Sequence, residues 1–331
     1  MNHHPAPPRK LDAKRFHQRL LAWFDRHKRD LPWRRDRDPY RIWLSEIMLQ
    51  QTRVAAVQDH YLRFLRRFPT IERLAAARES SVLALWSGLG YYRRARMLHA
   101  AARKVVGEFA GNFPKNAAEL RALPGIGRYT AAAIASIAFG EPVPVVDGNV
   151  ERVLQRLFAK PLVGEACWQG AQDLLDSQRP GDFNQALMEL GATLCLPRQP
   201  KCLLCPAADF CAARGELPAV TKANRQQKRE IHYALDRCGD SVFLVQRPST
   251  VSLMPGMWEL PEVPATNTDG KAHLKLRHSI TVTDYLVRVV PRTAAAATAD
   301  GRWIPASRLS KLPLTGLARK ILRAANVIQN P

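Results

Sequence analysis

Leu123-Pro124-Gly125-Ile126-Gly127 lies between two stretches of helical patterning, Ala117–Ala122 and Tyr129–Phe139. Two glycines with one apolar residue between them suit a tight turn joining two helices, because glycine reaches backbone angles closed to other residues. Amides left free in such a turn, beside a helix N-terminus, hold a phosphate. Gly125 and Gly127 are therefore candidate phosphate-binding positions, and contact through backbone amides reads no base sequence. Alone, Pro-Gly-x-Gly is more often an ordinary loop. Twenty residues past Gly125 the chain continues Val145-Val146-Asp147-Gly148-Asn149-Val150, and the pairing is far more specific. A carboxylate at the edge of that apolar run suits stabilising positive charge or attacking a sugar carbon. The plainer role for Asp147 is to cap a helix beginning near Asn149.

Outward from the hairpin, helical spacing runs from Leu11 to about Cys195. Phe16, Leu20, Leu21, Trp23 and Phe24 form one stripe, Ile42, Trp43, Ile47 and Met48 a second, and Leu83, Leu85 and Trp86 a third. Breaks at Leu31-Pro32, Phe68-Pro69, Ser87-Gly88 and Phe113-Pro114 divide the helices. After Cys211 the texture turns polar and basic, then gives strand-like runs at Ile231–Arg237, Ser241–Gln246, Leu274–Ile280 and Thr283–Val290. Thr293–Thr298 reads as a loop and Leu317–Val327 as a final helix. The expected organisation is a disordered start (1–10), a mainly α domain (11–213), a linker (214–230) and a small α+β domain (231–331).

The chain has 331 residues and a formal net charge of +21, which favours a polyanionic partner, although general solubility is the plainer reading. Its first ten residues, MNHHPAPPRK, lack the apolar core of a signal peptide, and no run is long and apolar enough to span a bilayer. A reducing, cytoplasmic setting is expected. Four of the six cysteines, Cys195, Cys202, Cys205 and Cys211, follow C-x6-C-x2-C-x5-C. That grouping is metal-like rather than a disulfide framework. Zinc sites usually show two C-x2-C pairs; here only Cys202 and Cys205 form one, and the wider gaps suit a larger object, an iron–sulfur cluster.

Glu46 is the one acid in Trp43-Leu44-Ser45-Glu46-Ile47-Met48-Leu49-Gln50-Gln51-Thr52-Arg53. Burial raises a carboxyl pKa and suits a general acid near neutral pH. The alternative is a buried Glu paired with Arg29 or Arg34. The polar block after it could meet nucleic acid or be an ordinary helix end. Leu89-Gly90-Tyr91-Tyr92-Arg93-Arg94 combines aromatics, glycine and two cations, as a loop entering a base stack would; a packed aromatic corner is the competing reading.

Together these residues resemble the adenine DNA glycosylases of the MutY type, within the helix–hairpin–helix glycosylase superfamily. The match runs from about Phe16 to Cys211 and includes Asp30-Leu31-Pro32-Trp33-Arg34, Asp38-Pro39-Tyr40, Ser45–Arg53, Gly88-Leu89-Gly90-Tyr91-Tyr92, Val146–Val150, Phe183-Asn184-Gln185-Ala186-Leu187-Met188 and the four cysteines. The resemblance implies two helical lobes with one 4Fe-4S cluster, followed by a small α+β Nudix-like domain. It implies that the enzyme flips adenine mispaired with 8-oxoguanine or guanine out of double-stranded DNA and hydrolyses its glycosidic bond. Glu46 would protonate adenine N7, Asp147 would stabilise or trap the sugar cation, and Tyr129 and Asn149 would orient Asp147 and the sugar. Arg29, Trp33, Arg34 and Gln185 would line the adenine pocket. Gln51, Thr52, Leu89 and Tyr91 would meet the DNA beside the lesion. The endonuclease III-type glycosylase/lyases need a lysine where Tyr129 stands, so a monofunctional enzyme is expected. A non-catalytic DNA-binding scaffold and a zinc-bearing interaction protein are the readings from other classes. A monomer is expected.

In the C-terminal part, Arg247-Pro248 and Gly256-Met257-Trp258-Glu259-Leu260-Pro261 carry the Nudix-like resemblance, without the carboxylate-rich helix of the hydrolases. Family members commonly carry Phe-Ser-His where this chain has Ile280-Thr281-Val282. Thr281 keeps a hydroxyl for the lesion, while the aromatic and the imidazole are lost and the domain is short.

Overall fold

The helical pattern expected up to Cys195 is present in the computed structural model, which describes residues 12–215, 227–265, 273–280, 283–292 and 301–329. In chain order the helices are α1 (Ala13–His27), a 3-10 turn (Pro32–Arg34), α2 (Pro39–Leu49), α3 (Val54–Arg67), α4 (Ile71–Ala75), α5 (Glu79–Trp86), α6 (Arg93–Phe109), α7 (Ala117–Leu120), α8 (Arg128–Phe139), α9 (Gly148–Phe158), α10 (Glu165–Leu174) and α11 (Pro180–Thr193). Strands β1 (Gln227–Cys238), β2 (Ser241–Gln246), β3 (Trp258–Glu259), β4 (Leu274–Ile280), β5 (Thr283–Arg292) and β6 (Gly301–Pro305) follow, then α12 (Ala306–Leu309) and α13 (Gly316–Ala324). Contacts divide the chain into two units, Met1–Gln51 with Lys104–Val220 and Thr52–Arg103 with Thr221–Pro331.

In the first unit, short polar residues start the helices. The Asp12 carboxylate accepts from the Arg15 amide at the head of α1, and Asp38 accepts from the Tyr40 and Arg41 amides at the head of α2. Pro39 sits in the first turn of α2, where its missing N–H costs nothing. Phe16, Leu20, Leu21 and Phe24 of α1 form a core with Phe183, Leu187 and Leu190 of α11 and with Val150, Val153 and Leu154 of α9. Helix α2 is apolar nearly all round and buried from Tyr40 to Met48 apart from Arg41. Ala131 to Ala135 of α8 are buried, and their small side chains suit close helix packing. Gly191 permits the closest approach: a Cβ there would lie 2.6 Å from the Asn149 Cβ, so α11 meets the first turn of α9 only through glycine.

In the second unit, Phe64 of α3 packs edge-to-face on Trp86 of α5 and on Phe68 just past its own helix. The sheet runs β3-β2-β1-β5-β4, with β6 on β2. β1 and β5 pair in parallel from Gln227↔Thr283 to Asp236↔Arg292, and β4 and β5 pair antiparallel. Leu317, Ala318, Ile321 and Leu322 of α13 pack on Leu235, Leu244, Trp258 and Val289. The Ser87 and Tyr92 hydroxyls, flanking Gly88–Tyr91, both donate to the Leu314 carbonyl at 2.8 and 3.1 Å, and Arg319 Nε donates to Ser87 Oγ at 3.0 Å.

Several boundaries differ from the sequence reading. β1 opens at Gln227 rather than Ile231, because parallel pairing with β5 extends it into the basic stretch read as linker. β3 and β6 were not foreseen. β3 has two residues, and β6 is bounded by Gly301 and Pro305, so each is defined by pairing with β2 and not by its own pattern. The final helix closes at Ala324 rather than Val327. The stretch read as disordered (1–10) and the loop 293–298 lie outside the described residues. No helix among the described residues is long and apolar enough to cross a membrane.

Candidate active site

Glu46 sits in the middle of α2, 7% exposed, where every neighbour in sequence from Trp43 to Met48 is buried as well. The Tyr129 hydroxyl, in the first turn of α8, donates to Glu46 Oε2 at 2.7 Å, and Met188 Sδ of α11 lies 3.5 Å from the Tyr129 oxygen. Burial pushes the Glu46 carboxyl up from an ordinary 4.5 to about 7. The Tyr129 hydrogen bond opposes that rise, the charge of Asp147 adds to it, and the charge of Arg34 opposes it. The Tyr129 phenol is itself held well above its usual range, by burial first and then by Glu46 and Asp147, so it stays a donor.

Asp147 is the N-cap of α9: one carboxylate oxygen accepts from the Asn149 and Val150 amides at 2.9 and 2.8 Å, and the other from Asn149 Nδ2 at 3.0 Å. The two readings of Asp147 are compatible, since the cap fixes the carboxylate that Glu46 feels. Two polar groups hold this corner. Asn184 of α11 accepts from the Val145 amide at 3.1 Å and donates to the Val143 carbonyl at 2.9 Å. Arg152 Nη2 donates to Asn149 Oδ1 and the Gly191 carbonyl, and its Nε donates to the Cys195 carbonyl.

Glu46 pairs with neither Arg29 nor Arg34, which corrects the structural alternative. Both guanidinium groups go to Glu189, a fully buried carboxylate of α11. Arg29 Nε and Nη2 donate to its two oxygens at 2.6 and 2.8 Å, and Arg34 Nη2 donates to Oε2 at 2.8 Å. Burial pushes Glu189 toward neutrality, but the hydrogen bonds and charges of both arginines outweigh it and hold the carboxyl below the ordinary range. Sequence reading missed Glu189. The available signal was an acid inside the apolar run Ala186-Leu187-Met188-Glu189-Leu190. Trp33 is buried in the 3-10 turn beside Arg34, and Gln185 is partly buried on α11.

At the hairpin, Gly125 takes φ +74° and Gly127 caps α8 in an extended conformation. Both glycines are exposed, and a Cβ on Gly127 would meet nothing within 4 Å. The turn therefore has an open face for an anion. Gln51 is exposed in this unit at φ +55°.

Thr52, Leu89 and Tyr91 belong to the other unit. Gly88, Gly90 and Tyr91 all take positive φ, and Tyr91 is 50% exposed while Leu89 is buried. Arg94 Nη2 ties this loop down, donating at 3.2 Å to Thr52 Oγ1 and to the Leu89 and Gly90 carbonyls. Thr281 lies outside the described residues.

Cys195, Cys202, Cys205 and Cys211 are free thiols in the loop after α11. Burial, and then the charges of the other three cysteines, push the Cys205 thiol up to about 11. Arg156 Nη1 donates to Cys195 Sγ at 3.2 Å, and Cys211 Sγ lies 3.4 Å from the Arg156 carbonyl. Among the described residues no three His, Cys, Asp or Glu side chains gather closely enough for one metal ion.

Residues 44–161 match the model of the HhH-GPD superfamily base excision DNA repair proteins. The chain is similar to the adenine DNA glycosylase of Mus musculus, 42% identical over 330 residues, covering 80% of this chain and 64% of the mouse protein. It is likewise similar to that of Homo sapiens, 42% identical over 313 residues, covering 75% of this chain and 57% of the human protein. The chain therefore spans less than two thirds of these curated relatives. Among solved structures it resembles a thermostable thymine-DNA glycosylase with a TM-score of 0.58 and 33% identity, covering 61% of this chain and 96% of that one.

Proposed function

This chain belongs to the HhH-GPD superfamily of base excision DNA repair proteins, and from that premise we propose that it is an adenine-specific DNA N-glycosylase. Its substrate is double-stranded DNA carrying adenine opposite 8-oxoguanine or guanine. The observation that carries this reading is the buried Glu46, hydrogen-bonded by Tyr129 and held near pKa 7. A carboxyl in that state is a competent proton donor at neutral pH. Protonation of the flipped adenine makes the base a better leaving group. As the glycosidic bond breaks, positive charge develops on the sugar, and Asp147, fixed by the α9 amides and Asn149, stabilises it until water completes the hydrolysis.

Arg29, Trp33, Arg34 and Gln185 line the adenine pocket in this reading, and Gly125 and Gly127 take a phosphate through their amides. Gln51, Thr52, Leu89 and Tyr91 meet the bases beside the lesion, and Thr281 supplies a hydroxyl to 8-oxoguanine. Residues 11–213 carry excision, the stretch between them and β1 at Gln227 joins them to the rest, and residues 227–331 read the lesion. Cys195, Cys202, Cys205 and Cys211 would hold one 4Fe-4S cluster, because the donor set is all thiol and follows the C-x6-C-x2-C-x5-C spacing. When bound, the cluster supplies a fixed scaffold for the loop. The protein acts as a monomer in the cytoplasm, on the nucleoid if the cell is bacterial.

Two rival readings are disfavoured. A glycosylase/lyase needs an amine nucleophile, and Tyr129 occupies the position in which the endonuclease III type has lysine. A binding scaffold has no use for a carboxyl buried without a cationic partner, which is costly to keep. Single-turnover assays on duplexes with adenine opposite 8-oxoguanine, guanine and thymine test the proposal. Free adenine should be released from the first two, fastest opposite 8-oxoguanine, with no adduct trapped by borohydride. Absence of adenine release from all three would refute it.

A further inference from the structure

We propose that Arg319 of α13 is a positioning residue for the loop Gly88–Tyr91. By holding the Ser87 hydroxyl against the Leu314 carbonyl, it fixes the loop in the shape that presents Tyr91 to the duplex. The inference rests on the reading of Tyr91 as a residue that meets the bases beside the lesion. The loop is strained: Gly88, Gly90 and Tyr91 take φ +111°, +72° and +48°. At Gly88 the angle calls for glycine, and a Cβ there would lie 3.1 Å from His60 Nε2. Tyr91 has no such freedom. A residue with a side chain stays in the left-handed region only where its surroundings over-determine it. Tyr91 is itself 50% exposed, so the constraint comes largely from the backbone on either side.

Two sets of anchors hold that backbone. The inner set belongs to the flanking helices. Trp86 Nε1 donates to the Gly90 carbonyl and Arg94 Nη2 to the Leu89 and Gly90 carbonyls, all at 3.2 Å. The outer set comes from 222 to 232 residues further along the chain. Ser87 Oγ and Tyr92 Oη, one on each side of the loop, donate to the Leu314 carbonyl at 2.8 and 3.1 Å, which uses both of its lone pairs. The backbone around that carbonyl is bridged to β3: the Trp258 amide donates to the Pro313 carbonyl and the Thr315 amide to the Trp258 carbonyl, each at 2.9 Å. Thr315 then caps α13, and Arg319 follows one turn later. Arg319 Nε donates to Ser87 Oγ at 3.0 Å. A serine hydroxyl has one proton to give. With the guanidinium N–H on its lone pair, that proton is directed to Leu314, and the cation strengthens the bond. Ser87 is buried, so water does not compete for it. Arg319 therefore sets how firmly the sheet holds the loop. If its role were only to hold the fold together, its loss would loosen sheet and loop alike. A positioning role shows in the loop alone.

The test uses the full chain as Arg319→Met, which keeps the stem without the donor, as Ser87→Ala, and as both together. The first measurement is hydrogen exchange by mass spectrometry over residues 83–93 of the DNA-free protein. The Ser87 and Leu89 amides, which donate to the Ala84 and Trp86 carbonyls, should exchange about tenfold faster in each single variant. The double variant should add nothing further, because both changes cut the same link. Exchange in β1 and β5 should stay at its wild-type rate. The second measurement separates binding from chemistry. The Kd for a duplex with adenine opposite 8-oxoguanine should rise about tenfold, because binding then has to order the loop. The rate of adenine release at saturating protein should keep its wild-type value, since Glu46 and Asp147 are unaltered. If Arg319→Met does not fold, Ser87→Ala decides alone. Unchanged exchange over residues 83–93, exchange raised equally in β1 and β5, or an unchanged Kd would each overturn the proposal. Faster loop exchange and weaker binding in a protein that releases no adenine would instead refute the glycosylase reading and leave the anchor standing.

Discussion

Helices α2 and α11 each bury one glutamate among apolar side chains, and the two carboxyls are held in opposite states. Glu46 receives a single neutral hydroxyl donor, and burial raises its pKa to about 7. Glu189 receives two guanidinium groups, and they hold its carboxyl below the ordinary range although it too is buried. Burial alone does not decide the protonation of a carboxyl. The charge of the donors does, and this chain uses one arrangement to make an acid and the other to make an anchor.

The comparison makes opposite stability predictions. Glu46 has a folded pKa above its unfolded one, so its contribution is present in full below about 4.5 and is lost as pH rises through about 7. Glu189 has a folded pKa below its unfolded one, so its contribution is present above about 4.5 and is lost as pH falls through the lower folded value.

The largest effect expected is on catalysis. Glu46→Gln should lower single-turnover adenine release by roughly 10²–10⁴-fold or more, the range for a missing general acid, with duplex binding retained. The same variant should gain stability over wild type above pH 7, up to roughly 3 kcal/mol, and lose that advantage in acid. Denaturant titrations at pH 5 and 8.5 would show it, and a loss at pH 8.5 would mean that Glu46 is ionised and satisfied.

Next in size is Glu189→Gln. Removing one member of a buried ion network costs about 3–5 kcal/mol, because the guanidinium charges are left without a partner. The loss should be full at pH 7 and shrink toward pH 3, and a loss independent of pH would show that packing rather than charge holds the helix. The smallest change is Tyr129→Phe. It removes the hydrogen bond that favours the Glu46 carboxylate, so the alkaline limb of adenine release should move to higher pH. The accompanying rate loss at neutral pH should be about tenfold, from misplacing the acid.

Much of this was legible in the chain. Gly125 announces the hairpin because the turn takes it to φ +74°, a conformation that favours glycine, whereas Gly127 caps α8 in extended backbone. Glu46 stands out as the one acid in an apolar helix, and its burial follows. Asp147 was read both as cap and as catalytic carboxylate, and the cap supplies the geometry for the other role. The partners were not legible. Glu189 meets Arg29 and Arg34 across 160 and 155 residues, a distance no local pattern reports, and the pairing expected for Glu46 went to it instead. β3 and β6 escaped notice because β2 supplies their hydrogen-bond partners.

The central claim is that Glu46 donates a proton from a buried, neutral carboxyl. The most direct measurement is the single-turnover rate of adenine release opposite 8-oxoguanine from pH 5 to 9, with duplex binding held saturating. The rate should be highest where Glu46 is protonated and fall tenfold per pH unit above a midpoint near 7. A rate that stays level through pH 9 would contradict the account.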